Sequence, residues 1–200
     1  MRTDRGLDRF ITLLDAVVAI AITLLVLPLV DVLADTGGER LGPLLGAHTA
    51  QFFTFALSFV VIARLWLAHH ALSERVGSYD RQFVVLNLLW AFTIVVLPFA
   101  TQVTVGHRAE ALAIGIYIGT ITVSSACSTA LTLLVRRRPR LRARGVTAAD
   151  VPLEQSVAVT SLLVVALVVG LLVPAVGYLA LFLLFLDTPL ARLLRRRTGA

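Results

Sequence analysis

A chain of 200 residues that is 58% hydrophobic, only 15% charged and has a mean hydropathy of +0.90 is not a soluble globular domain. Its net charge of +6 rests on arginine alone, since there is no lysine, and the arginines cluster between apolar runs, where they set topology rather than bind nucleic acid. The lone cysteine, Cys127, excludes an internal disulfide.

Six apolar segments are predicted, at about 10–32, 47–68, 83–102, 108–135, 154–173 and 176–194. They define one all-α polytopic membrane domain over residues 1–200 with six transmembrane helices. The first runs from Phe10 to about Val32, long enough at about 1.5 Å per residue to cross a hydrocarbon layer of about 30 Å. Arg2, Arg5 and Arg9 in front of it resemble the start of a signal peptide, but the apolar run is too long and no small-x-small cleavage site follows, so a retained helix is expected.

Asp15 lies inside this span or at its edge, where a carboxylate needs a partner and is a functional candidate. Arg9 is six residues away, about 120 degrees around the helix, which makes direct pairing poor. Arg64, His69 and His70, near the end of helix two, are candidate partners, either as a structural lock between helices or as a proton relay. Further along helix one, Asp15, Ala19, Ile22 or Thr23, and Val26 recur at helical spacing, and Ile20, Thr23 and Leu27 form an overlapping stripe. Such a stripe suits a narrow pore that is dry when closed, and equally suits an ordinary packed helix.

The loop after helix one holds Asp31, Asp35 and Glu39 against Arg40, an acidic mouth that would concentrate cations or simply acid tolerated outside. In helix two, Trp66 reads as an interface anchor. The adjacent His69 and His70 do not share a helix face, and His48 and His107 belong to the opposite side, so no metal site is expected. Helix three carries Asn87, which needs hydrogen bonds in lipid, and Pro98, which either kinks the helix or helps end it. Helix four is rich in hydroxyls, from Thr120 to Thr129, that can satisfy one another or the backbone. The arginine-rich segment from Arg136 to Asp150 is expected as a solvated loop near anionic lipid. Helices five and six form a tight hairpin around Pro174 to Gly177.

Fifteen of the eighteen arginines fall on one side of this layout, leaving Arg40 and Arg108 opposite and Arg64 inside helix two. The positive-inside rule then puts both termini in the cytoplasm. No loop is long enough for a catalytic domain, and there is no phosphate loop, hydrolase elbow or zinc-protease motif, so no enzyme is expected. The remaining classes are channel, secondary transporter, and structural membrane protein. Broken helices and repeated halves, the marks of many transporters, are not evident.

Together these polar residues resemble a prokaryotic, single-repeat member of the endosomal/lysosomal transmembrane potassium channel family. That family opens helix one with R-x-x-x-F-S-D. Here Arg9 and Asp15 keep the spacing and Ala19-Ile20-Ala21-Ile22-Thr23 follows, while Leu13 and Leu14 replace the aromatic and the serine. Trp66 with His69 and His70, then Asn87, and then Pro98-Phe99, fall on the expected helices. The resemblance covers residues 9–99. It implies a homotetramer in the plasma membrane, weakly selective for potassium, with no cofactor beyond the permeant ion. It also implies a pore lined by helix one without a carbonyl filter loop. Ile20 would be the constriction, with Thr23, Leu27 and Ala19 along the pore. Arg9, Asp15, Arg64, Trp66, His69, His70 and Asn87 would hold the helices together. The alternatives are a non-conducting or differently specific protein on the same scaffold, and a proton-coupled transporter in which Asp15 titrates.

Overall fold

The computed structural model describes residues 4–34, 41–106 and 110–173. Helix α1 runs Asp4–Leu24, α2 Leu27–Ala34, α3 Leu41–Ala47, α4 Thr49–Ser73, α5 Arg81–Gly106, α6 Ala111–Arg137 and α7 Leu153–Leu172. Among the described residues, five stretches are long and apolar enough to cross a membrane: Arg5–Val32, which joins α1 and α2, and then α4, α5, α6 and α7. The molecule is an all-α polytopic membrane protein. The sixth predicted segment, 176–194, lies outside the described residues, as does the hairpin predicted at Pro174 to Gly177.

Prolines punctuate these helices, each for its own reason. Pro28 has no N–H and its ring crowds the carbonyl four residues back, that of Leu24. Helix α1 stops at Leu24, Leu25 and Val26 donate instead to Ile22 and Thr23 in tighter three-residue turns, and α2 restarts at Leu27. The first predicted span is therefore a broken helix. Pro98, by contrast, is carried within α5, which runs on to Gly106. Pro139 forces Arg138 into an extended conformation (φ −115°, ψ 94°) and so ends α6.

Helix α6 is the hub, packed against α5 on one side and α7 on the other, while α1 lies against α5 and α4. One apolar cluster joins Leu14, Val18 and Leu25 of the first span to Ile62, Trp90, Ile94, Ile118 and Leu163. A second, at the arginine-rich end, joins Leu7, Leu72, Phe83, Leu131 and Val135 to Leu141 and Val151. Those last two belong to the α6–α7 connection. That segment is thus pinned to the bundle by two side chains, while Arg140, Arg144, Thr147 and Asp150 stay exposed as its charge predicts.

The hydroxyls of α6 are spent in two ways. Thr120, Thr122, Ser128 and Thr132 donate to carbonyls of their own helix, near 3 Å. Ser125 and Thr129 each meet Thr160 of α7 at 2.8 Å, and Thr132 meets Ser156 at 3.3 Å. These contacts form a polar seam between two spans, where hydroxyl pairs replace the water that lipid does not supply.

Candidate functional site

The two faces of α1 have different surroundings. Leu7, Leu14, Val18 and Ala21 are buried, and Leu25 and Leu29 continue that line through the break. Ala16, Ala19, Ile20, Thr23 and Leu27 are all exposed on the outward side, with Ile20 60% exposed and Leu27 53% exposed. Thr23 donates its hydroxyl to the Ile20 carbonyl at 2.8 Å, so it adds a polar oxygen to that stripe without an unmet donor. Of the residues expected along the pore, Ala19, Ile20, Thr23 and Leu27 thus share one outward surface of the first span, with the helix break between Thr23 and Leu27.

Asp15 sits at the boundary between the faces. Its Oδ1 accepts a hydrogen bond of 2.8 Å from the indole N–H of Trp66 on α4. A buried indole N–H wants an acceptor, and a carboxylate near lipid wants a donor, so each removes the other's desolvation cost. Reasoning from charge pointed to Arg64 and the histidines and gave Trp66 an interface role. The indole was missed because the polar atom of a tryptophan is hidden from any charge count.

The histidines lie next to this contact but do different jobs. Trp66 stacks on His70, ring centres 5.2 Å apart, and His70 Nε2 lies 3.8 Å from the Glu74 carboxylate. His69 is fully enclosed. Its ring lies 3.8 Å from that of Trp90 and nearly parallel to it, and its Nε2 meets Asn87 Oδ1 at 2.6 Å. Asn87 commits its own N–H to the Phe83 carbonyl at 2.8 Å, so its oxygen faces His69 and Nε2 must be the protonated nitrogen. Asp15, Trp66, His69, His70 and Asn87 are brought together across α1, α4 and α5. Arg9 and Arg64 are exposed at the surface of α1 and α4.

A second polar group was not legible in the sequence. Ser58, Thr101 and Tyr117 form a buried hydroxyl chain across α4, α5 and α6, with links of 2.9 and 3.0 Å. Nearby, a cavity lined by Leu25, Pro28, Gln51, Phe55 and Thr101 lies behind the break in the first span. Single serines and threonines inside apolar runs carry no signal until the helices that face one another are known.

Among the described residues, five spanning helices, a polar anchor on the first and an outward apolar stripe along it define the class: a multi-pass α-helical membrane protein whose first span the described residues pack on one side. The comparisons with known proteins narrow this further. Residues 9–98 match the model of the family described as endosomal/lysosomal potassium channel TMEM175. A relative named as a potassium channel, from Streptomyces collinus, is 35% identical over 96 residues, which cover 48% of this chain and 46% of the relative. The chain thus spans about half the length of that relative. The family match covers the first three spans, from Arg9 to Pro98, and so takes in the Asp15–Trp66 contact.

Proposed function

We propose that this protein is a potassium-permeable, weakly selective cation channel and not an enzyme. Its pore is lined by the first span of each of four identical subunits. Ile20 forms the hydrophobic constriction, and Ala19, Thr23 and Leu27 line the path on either side. The single observation that carries this reading is the outward stripe of α1. Four residues that the family resemblance places in a pore share the one face of that helix that the described residues leave uncovered. The opposite face is tied down by the buried leucines and by Trp66 on Asp15. A pore helix must satisfy both demands: it is fixed to its own subunit and bare towards the axis.

Apolar side chains at a constriction resist wetting, so ion passage requires that the ring be wide or hydrated when open. No cofactor is needed beyond the permeant ion. Asp15, Trp66, His69, His70 and Asn87, with Arg9 and Arg64 at the margin, act as the frame that sets the angle of α1. Both termini face the cytoplasm, a reading that the arginine distribution supports, and the membrane is the plasma membrane.

The test is cation flux into liposomes holding the purified protein, with potassium, sodium and a proton-only control. Potassium flux that rises severalfold in Ile20→Asn, which hydrates the ring, is the expected outcome. Unchanged flux in that variant removes Ile20 from the constriction. No flux from a correctly assembled tetramer removes the channel reading itself.

A further inference from the structure

The last turn of α6 and the segment that joins it to α7 hold Arg136, Arg137, Arg138, Arg140, Arg142 and Arg144 against one carboxylate of their own, Asp150. It is built as a plate. Leu141 and Val151 are buried in the second apolar cluster and pin it to the bundle. An antiparallel bridge pairs Arg142 with Val76, and the Gly77 N–H donates to the Leu141 carbonyl at 2.9 Å. The backbones approach so closely there that a Cβ on Gly77 would come within 2.8 Å of Ala143 Cα. Gly145 closes the turn with a φ of +82°, a conformation that favours glycine.

The plate's own carboxylate partners cover only part of its charge. Asp80 takes both Arg138, at 2.5 Å, and Arg140, at 3.1 Å. Glu154 takes Arg136. Arg75, beneath the plate, donates to the Ala71 and Asp150 carbonyls, which are neutral. Arg137 and Arg144 remain exposed, and the Nε of Arg142 is buried with no hydrogen-bond partner among the described residues.

The position of the plate selects its partner. Spans α4 and α6 end at Ser73 and Arg137, and α5 and α7 begin at Arg81 and Leu153. The plate therefore lies where four spans leave the hydrocarbon, at the depth of the headgroups. We propose that Arg137, Arg142 and Arg144 form a binding site for the phosphate of an anionic phospholipid, with the exposed guanidinium groups of Arg137 and Arg144 leading and Arg142 held beside them by its backbone pairing with Val76. Guanidinium groups match phosphate oxygens in both charge and geometry. The bilayer supplies that phosphate without a further step of diffusion.

The experiment is native mass spectrometry of the full-length protein with phosphatidylglycerol or phosphatidylcholine added at equal mole fraction. The wild type is expected to retain phosphatidylglycerol over phosphatidylcholine, and less of it as salt rises. Each arginine near an anionic surface is worth about fivefold in affinity, so Arg142→Gln with Arg144→Gln should weaken retention about twentyfold or more. The pair Arg142→Lys with Arg144→Lys should recover part of it, since charge returns without the planar fork. Equal retention of the two lipids by the wild type overturns the proposal and needs no variant that folds. So does undiminished retention in the glutamine pair. Displacement of the lipid by inorganic phosphate at low millimolar concentration overturns it as well, by moving the site to a free anion.

Discussion

The face of α1 that carries Leu7, Leu14, Val18 and Ala21 and the face that carries Leu13, Ala16, Ile20 and Thr23 are both largely apolar, yet only the first is buried. In a soluble protein such a difference would be written in the hydropathy, because water would punish the second face. In a bilayer it is not, because lipid tails are as apolar as leucine and either face is tolerated outward. What chooses between them is polar chemistry. Asp15 needs a donor, Trp66 supplies one, and satisfying that pair rotates the helix so that Leu14 and Val18 turn inward and Ile20 turns out. One hydrogen bond thus selects which of two similar apolar stripes faces outward.

The largest expected effect compares the two faces directly. Leu14→Ala opens a cavity in the main apolar cluster and should cost about 2–5 kcal/mol of stability, whereas Leu27→Ala should cost less than about 1 kcal/mol. Unfolding in detergent, followed by heat or denaturant, measures both. Equal losses would break the comparison. A loss for Leu27→Ala that appears only at concentrations where subunits associate would sharpen it, because the outward face would then be packed against another copy.

Next in size is the contact that sets the rotation. Trp66→Phe keeps the ring but removes the N–H, leaving Asp15 without that donor, and should cost about 1–3 kcal/mol. Adding Asp15→Asn should recover some of this, since the group left behind is no longer charged. A double-mutant cycle checks the coupling, and additive effects would show that the two side chains do not depend on each other.

The apolar lengths made the five described spans visible in the sequence, Asn87 was visible as a polar residue that would need partners in lipid, and His69 only as a candidate partner for Asp15. Three features were not legible. Pro28 stood inside the first predicted span, but a proline in an apolar run can be carried, as Pro98 is in α5, or can break the helix, as Pro28 does. Which outcome wins depends on whether neighbours absorb the freed carbonyl, and that is a tertiary fact. The fold of the α6–α7 connection was hidden by its arginines, which outweigh Leu141 and Val151 in any local average although those two decide where it sits. The candidate pore stripe came from family resemblance, because periodicity alone marks two overlapping stripes and does not say which is bare.

The smallest expected effect lies at the arginine-rich end, off both faces of α1, and asks whether surface charge also helps to hold the frame. Burial would raise the Asp80 carboxyl, but the Phe83 N–H and then the guanidinium groups of Arg138 and Arg140 outweigh it and hold the group below the usual carboxylate value. A pKa lowered by folding adds stability that is fully present above the unfolded value, near 4, and is lost as pH falls through the lower folded value. The wild type should therefore lose stability below about pH 4 more steeply than Asp80→Asn, which has no carboxyl there to protonate. Above that range the variant should be the weaker of the two by less than about 1 kcal/mol, because the pairs are partly open to solvent. Unfolding temperature against pH in one detergent checks both signs. If the curves run parallel down to pH 3, the plate is held by Leu141, Val151 and its backbone hydrogen bonds, and the Asp80 pairs add nothing to how it is fixed.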